Sequence, residues 1–237
     1  MTIKTIGFDA DDTLWRNEHF FREAENRFIS LLGYCCEREV IENALFSTIK
    51  SNLSLYGYGF KSFTLSMLET AANLNGNKAM SSSMAKEILA LGRKMMEQPV
   101  TLIDGVVQVL AQLEKSYRLI LISKGDLVEQ ERKLAKSGLA DFFDAKEIVS
   151  HKNKTVYEKI FQRYECLPEE FVMVGNSLKS DILPALQAGA WAIYVPYEIT
   201  WVLEQDDEPE GKNHYYKIDA LANLPKCLNT IDKRLSD

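Results

Sequence analysis

The chain has 237 residues, 46% hydrophobic and 26% charged, proportions of a soluble globular protein with one large domain or a core carrying a smaller attachment. They exclude disordered tails, fibrous repeats and disulfide-stapled miniproteins. Twenty-eight basic against thirty-four acidic side chains leave a net charge of −6, so no general field draws in nucleic acid or anionic lipid, and neither is an expected partner. Residues 3–8 are an apolar, β-branched run that stops at Asp9-Ala10-Asp11-Asp12-Thr13, the pattern of a buried strand ending in a polar loop rather than of a signal peptide. No apolar stretch approaches the ~18 residues of a membrane span, and the expected location is cytoplasmic. Cysteines 35, 36, 166 and 227 lack C-x-x-C spacing and read as reduced thiols, and His19, His151 and His214 lack the spacing of zinc ligands.

From Trp15 to Pro99 the texture is helical. Phe20, Ala24, Phe28, Leu31 and Leu32 recur at three or four residues, as do Met84, Ile88, Leu91 and Met95. A helical insert of about 85 residues is predicted, interrupted at Tyr56-Gly57-Tyr58-Gly59-Phe60-Lys61 by a loop or helix junction. After Pro99 helices are predicted over 106–113, 127–137, 155–164 and 180–188, alternating with strands over 117–122, 145–149, 171–174 and 191–195. Residues 198–216 read as an irregular acidic and aromatic loop, followed by a last helix near 220–231. The alternation predicts an α/β fold, a doubly wound parallel sheet with a smaller helical domain inserted after the first strand. Residues 1–14 and 100–237 would form the core and 15–99 the insert. In such sheets ligands bind beyond the carboxyl ends of the strands, where strand order reverses.

Polar residues stand at four of those ends. Asp9 and Asp11 can point into one crevice, where they repel unless a cation or shared proton offsets the charge; aspartates also cap turns, a task open to Asp12 and Thr13. The second strand leads to Ser123-Lys124-Gly125-Asp126, a hydroxyl and backbone amides suited to a phosphate oxygen, with Asp126 placed to cap the next helix. The third leads to His151-Lys152-Asn153-Lys154, and the fourth to Gly175-Asn176-Ser177 and Lys179-Ser180-Asp181.

With these four stretches the sequence resembles the haloacid dehalogenase superfamily of hydrolases. Asp9-Ala-Asp11-Asp-Thr13 is similar to its D-x-D-x-T motif, Ser123 to its Ser/Thr motif, Lys152 to its lysine motif, and Gly175-Asn176-Ser177 through Asp181 to its acidic motif. Lys152 fits the family spacing better than Lys154. The insert resembles the small helical C1 cap. The resemblance implies that Asp9 is the nucleophile, Asp11 the general acid and base, Ser123 and Lys152 the groups that complete catalysis, and Asp9, Asp11 (through its carbonyl), Asn176 and Asp181 the ligands of Mg²⁺. Ser123, Lys124 and Gly125 would hold the substrate's phosphate, with Tyr58 and Lys61 of the cap, beside Tyr56 and Phe60, contacting the rest of it. Asn176 departs from the motif, which there carries aspartate, and implies a working but weaker metal site. The implied activity is Mg²⁺-dependent hydrolysis of a small phosphorylated metabolite through an aspartyl-phosphate. A haloacid dehalogenase, a phosphomutase and a non-catalytic binding protein are the alternatives. Asp11 favours the phosphatase, since a departing alcohol needs a proton and a halide does not. Nothing in the sequence bears on oligomeric state.

Overall fold

The computed structural model describes residues 2–76, 80–211 and 213–236, so Met1, Asp237, residues 77–79 of the predicted insert and, within the acidic and aromatic segment, Lys212 lie outside it. The chain divides into two compact units, Met1–Glu18 with Val100–Asp237, and His19–Pro99. In chain order the elements are β1 (Thr5–Phe8), α1 (Glu18–Leu32), α2 (Arg38–Tyr56), α3 (Phe60–Leu74), α4 (Ser82–Glu97), α5 (Val106–Leu113), β2 (Arg118–Lys124) and α6 (Leu127–Ser137). They continue with β3 (Ala145–Val149), α7 (Lys154–Arg163), β4 (Phe171–Gly175), α8 (Leu183–Gln187), β5 (Trp191–Tyr194), β6 (Tyr215–Lys217) and α9 (Leu224–Ser236).

In the first unit the strands form a parallel sheet in the order β3-β2-β1-β4-β5-β6. Strand order therefore reverses between β1 and β4, and their carboxyl ends flank the switch point where such folds take a ligand. The continuous apolar runs have their reason in burial on both faces. Ile6, Phe8, Leu119, Leu121, Val172 and Val174 pack into one core with α5 and α9, while Ile120, Ile122, Phe171 and Met173 pack into the other with α7 and α8. Gly7 faces the second of these: a Cβ there would lie 2.5 Å from Phe171 Cζ, so only glycine lets that ring lie across β1.

The helical unit has its own core, built from Phe28 and Leu32 of α1, Ile41 and Leu45 of α2, Phe63, Met67 and Ala71 of α3, and Ile88 and Met95 of α4. Asn52 is buried between α2 and α3 and is satisfied there by donating to Ser66 Oγ (3.2 Å) and Glu69 Oε2 (2.8 Å). The aromatic-glycine stretch is the junction of α2 and α3, with Phe60 and Lys61 already inside α3.

Two expectations need correction. Residues 180–188 are not one α-helix: a π turn, Leu178–Ile182, precedes α8, because Pro184 has no N–H for the α-helical ladder and the Ile182 N–H reaches back to the Ser177 carbonyl (3.2 Å). Residues 198–216 are not wholly irregular, since Val202–Glu204 is a 3₁₀ turn and Tyr215–Lys217 adds a strand beside β5. Three residues are too short for a period of two to register in sequence. Among the described residues no helix is long and apolar enough to cross a membrane, and the four cysteines are unbridged.

Candidate active site

Asp9 leaves β1 at the switch point, its N–H fixed to the Val174 carbonyl of β4 at 2.9 Å. The chain then turns sharply. Asp12 takes a left-handed conformation (φ +63°), the Leu14 N–H bonds back to the Ala10 carbonyl (2.8 Å), and the Asp12 carboxylate accepts from the backbone N–H groups of Asn17 (2.7 Å) and Glu18 (3.0 Å). Burial pushes the Asp12 carboxyl up to about 8 even though those amides oppose it.

Lys152 is the side chain that organises the crevice. Its ammonium donates to Asp9 Oδ1 at 2.5 Å and to Asp181 Oδ1 at 2.7 Å, and all three residues are buried. Lys154, by contrast, is exposed and pairs with Glu158 at 3.5 Å. Two carboxylates share one ammonium, which leaves a buried negative charge uncompensated. Burial and then the Asp181 charge push Asp9 up to about 7, against the pull of Lys152. Burial works to lower the Lys152 ammonium, but Asp181 and Asp9 outweigh it and hold it above its usual range. Asp181 is fixed from its other side by the Ser177 N–H on Oδ2 (2.9 Å), and the buried Tyr157 hydroxyl supports this turn by donating to the Ser180 and Asp181 carbonyls (3.3 Å each).

The remaining oxygens suit a hard cation. The Asn176 amide end lies 3.1 Å from Asp9 Oδ2 and 3.2 Å from the Asp11 carbonyl oxygen. With Nδ2 inward its two N–H groups are within reach of both and of Thr13 Oγ1; with Oδ1 inward it accepts from Thr13 (3.1 Å) and completes a set of three hard donors. Octahedral Mg²⁺ with ligands at about 2.1 Å needs neighbouring oxygens about 3.0 Å apart, close to these separations. Among the described residues no three His, Cys, Asp or Glu side chains cluster as a metal site, so the set depends on a carbonyl and an amide. Asp181 has both oxygens engaged, by Lys152 and by Ser177, which fits a place beyond the ion's direct ligands.

On the other side, Ser123 lies within β2, in register with Ile148, and its Oγ is buried without a hydrogen-bond partner, able to meet an incoming oxygen. Its two neighbours, expected to share a phosphate cradle with it, are engaged within the protein. The Gly125 N–H donates to the Val149 carbonyl (3.2 Å), and the Lys124 ammonium pairs with Glu204 and Ser180 Oγ. Tyr58 and Lys61 belong to the helical unit, Tyr58 half-buried at the α2–α3 junction and Lys61 exposed in the first turn of α3.

Asp11 does not turn its side chain to the metal donors. Its carboxylate accepts from Lys133 Nζ (3.0 Å to each oxygen), Trp15 Nε1 (2.6 Å) and Gln130 Nε2 (2.9 Å). Sequence reasoning missed Lys133, Gln130, Glu204 and the contact of Trp15 with Asp11. For the helix residues a signal was present: α6 carries Glu129, Gln130 and Lys133 on its buried side, where an amphipathic helix ordinarily carries apolar residues. Glu204 gives no such signal. It reaches Ser177 Oγ (2.7 Å) and Ser180 Oγ (2.5 Å) from the 3₁₀ turn, and Lys124 with those hydroxyls outweighs burial and lowers its carboxyl.

The fold is a doubly wound α/β sheet with a cluster of carboxylates and one ammonium at its switch point. A family model described as haloacid dehalogenase-like hydrolase matches residues 3–189, and the chain belongs to that family. It is 30% identical to a glyceraldehyde 3-phosphate phosphatase of Methanothermobacter thermautotrophicus over 95% of this chain and 100% of that one. It is 27% identical to an N-acylneuraminate-9-phosphatase of Rattus norvegicus over 99% and 97%. A solved haloacid dehalogenase-like family hydrolase from Xanthomonas campestris superposes with a TM-score of 0.89 at 35% identity, over 99% of this chain and 94% of that one.

Proposed function

We propose that the chain is a Mg²⁺-dependent phosphatase that hydrolyses a small phosphate monoester through an aspartyl-phosphate on Asp9. The observation that carries this is the buried Lys152 ammonium joining Asp9 to Asp181 at the β1–β4 switch point, beside the Asn176 amide at about 3 Å from Asp9 Oδ2 and from the Asp11 carbonyl oxygen. Asp9 Oδ2, the Asp11 carbonyl and Asn176 Oδ1 would hold the ion directly and Asp181 through water. Bound there, Mg²⁺ would offset the negative charge gathered as an anionic nucleophile meets an anionic ester.

An Asp9 oxygen forms a bond to phosphorus as the ester P–O bond breaks, and that bond's electron pair stays with the leaving oxygen, which takes a proton from the Asp11 carboxyl. Water then attacks the aspartyl-phosphate, giving its proton to Asp11, and inorganic phosphate leaves with Asp9 regenerated. Lys152 holds Asp9 in one orientation and neutralises part of the charge, and Ser123 Oγ donates to a phosphoryl oxygen. The helical unit acts as the family's cap, with Tyr58 and Lys61 contacting the part of the substrate beyond its phosphate. Both relatives' names specify phosphate esters of polyhydroxylated carbonyl compounds, and a substrate of that class is the one expected here.

Phosphate release from p-nitrophenyl phosphate, glyceraldehyde 3-phosphate and an N-acylneuraminate 9-phosphate, with and without Mg²⁺, tests the proposal. Asp9→Asn is expected to lower kcat by at least about 10³-fold without shifting the melting temperature downward, because it removes the nucleophile and a poorly tolerated buried charge. Chloride release from 2-chloropropionate with no phosphate release would instead make the chain a dehalogenase.

A further inference from the structure

Two buried lysines serve Asp9, Asp11 and Asp181, and they divide the work. Lys152 takes Asp9 and Asp181; Lys133 takes Asp11. Lys133 stands on α6, one helical turn after Glu129, and both side chains are turned inward, where an unpaired ammonium would be costly. Its Nζ lies 3.0 Å from each Asp11 oxygen, 2.8 Å from Asn17 Oδ1 and 3.2 Å from Glu129 Oε1. Burial works to lower this ammonium, and Asp11 followed by Glu129 raises it above its usual range. Gln130 Nε2 and Trp15 Nε1 add one donor to each Asp11 oxygen.

Asp11 sits on a loop, where a carboxyl group has two free torsions. An acid that must meet a leaving oxygen has to be held to about half an ångström. Here the hold comes from α6 and from an indole, with both oxygens fixed from different directions. Lys133 and Gln130 thus bring three N–H donations to the Asp11 carboxylate from one helix.

We propose that Lys133, assisted by Gln130, is a positioning residue that aims the Asp11 carboxyl at the leaving group. The proposal rests on the reading of Asp11 as the proton donor to the departing oxygen. Its consequence is selectivity by leaving group: an alkoxide needs that proton, whereas p-nitrophenolate departs without it.

The test compares kcat/KM on glycerol phosphate and on p-nitrophenyl phosphate, in Mg²⁺, for the full-length protein and its variants. General acid catalysis is worth about 10²–10⁴-fold, so Lys133→Met is expected to lower the alkyl-to-aryl ratio by at least about 30-fold, and Lys133→Arg to recover most of it. Gln130→Met is expected to move the ratio in the same direction by about 3–10-fold, and it decides the matter if melting curves show Lys133→Met unfolded. Equal losses on both esters, or an unchanged ratio in the folded variants, would overturn the proposal. Asp11→Asn separates the two levels. If it leaves the ratio unmoved, the acid role of Asp11 has failed and the positioning role falls with it; if it collapses the ratio while Lys133→Met and Gln130→Met do not, only the positioning role has failed.

Discussion

Asn176 stands beside the oxygens suited to a cation, and an amide can do two things there that a carboxylate cannot. It can present Nδ2 to Asp9 Oδ2, the Asp11 carbonyl and Thr13 Oγ1, or present Oδ1 and become a neutral ligand. A carboxylate in its place would add a charge about 3 Å from Asp9, which already shares Lys152 with Asp181. Asn176→Asp is therefore expected to bind Mg²⁺ about tenfold more tightly, about 1.4 kcal/mol, since ligand charge sets affinity for a hard cation. Without metal the same variant loses the two hydrogen bonds that the amide N–H groups can donate among these oxygens and gains repulsion. A destabilisation of about 2 kcal/mol should lower its metal-free melting temperature by roughly 4–8 °C. Mg²⁺ titrations followed by calorimetry and by melting curves would check both signs. If neither the midpoint nor the metal-free melt moves, Asn176 is not among the ligands.

At the scale of elements, the site depends on how strand ends feed turns. The carboxyl end of β4 is Gly175, against which the Asp181 side chain lies. A Cβ there would come within 2.3 Å of Asp181 Oδ2 and 2.4 Å of its Cγ. Gly175→Ala must displace a carboxylate already fixed by Lys152 and the Ser177 N–H, at a cost of about 1–3 kcal/mol. Because Lys152 also holds Asp9, the displacement should reach the nucleophile and lower kcat by about 10²-fold, the usual effect of misplacing a reacting group by about an ångström. Steady-state kinetics alongside a melting curve would measure the two effects, and unchanged kcat would show that the position of Asp181 is immaterial. These strand ends were legible in the sequence because each is a buried apolar run followed at once by polar residues. The parallel sheet followed from the same runs. The π turn was not legible, since Pro184 breaks a helical ladder without interrupting the hydrophobic pattern. Nor were Lys133, Gln130 and Glu204, which sit far along the chain from the motifs they serve. A period of 3.6 residues says which face is buried, but not that a lysine on that face has found two carboxylates.

At the scale of the molecule, the question is whether the two units are energetically separable. Each has its own apolar core among the described residues. The two chain crossings are also tied together within the first unit: the Arg16 N–H bonds to the Thr101 carbonyl and the Ile103 N–H to the Leu14 carbonyl, each at 2.9 Å. A short flexible linker can therefore close the gap left by residues 19–99, and each doubling of linker length adds only about 0.6 kcal/mol of closure entropy. A variant in which such a linker replaces those residues is expected to fold with a single cooperative melt. It keeps Asp9, Asp11, Ser123, Lys133, Lys152, Asn176 and Asp181, so it should still turn over p-nitrophenyl phosphate. What it should lose is discrimination, because Tyr58 and Lys61 go with the helical unit while every group proposed to act on the phosphoryl moiety stays. The kcat/KM ratio between the best and the poorest metabolite of a phosphate-ester panel should fall toward about one, since pocket contacts each contribute about 1–3 kcal/mol of selectivity. A linker variant that folds and still ranks the panel as the full chain does would place selectivity in the first unit, where Lys124, Glu204 and the 3₁₀ turn become the residues to vary.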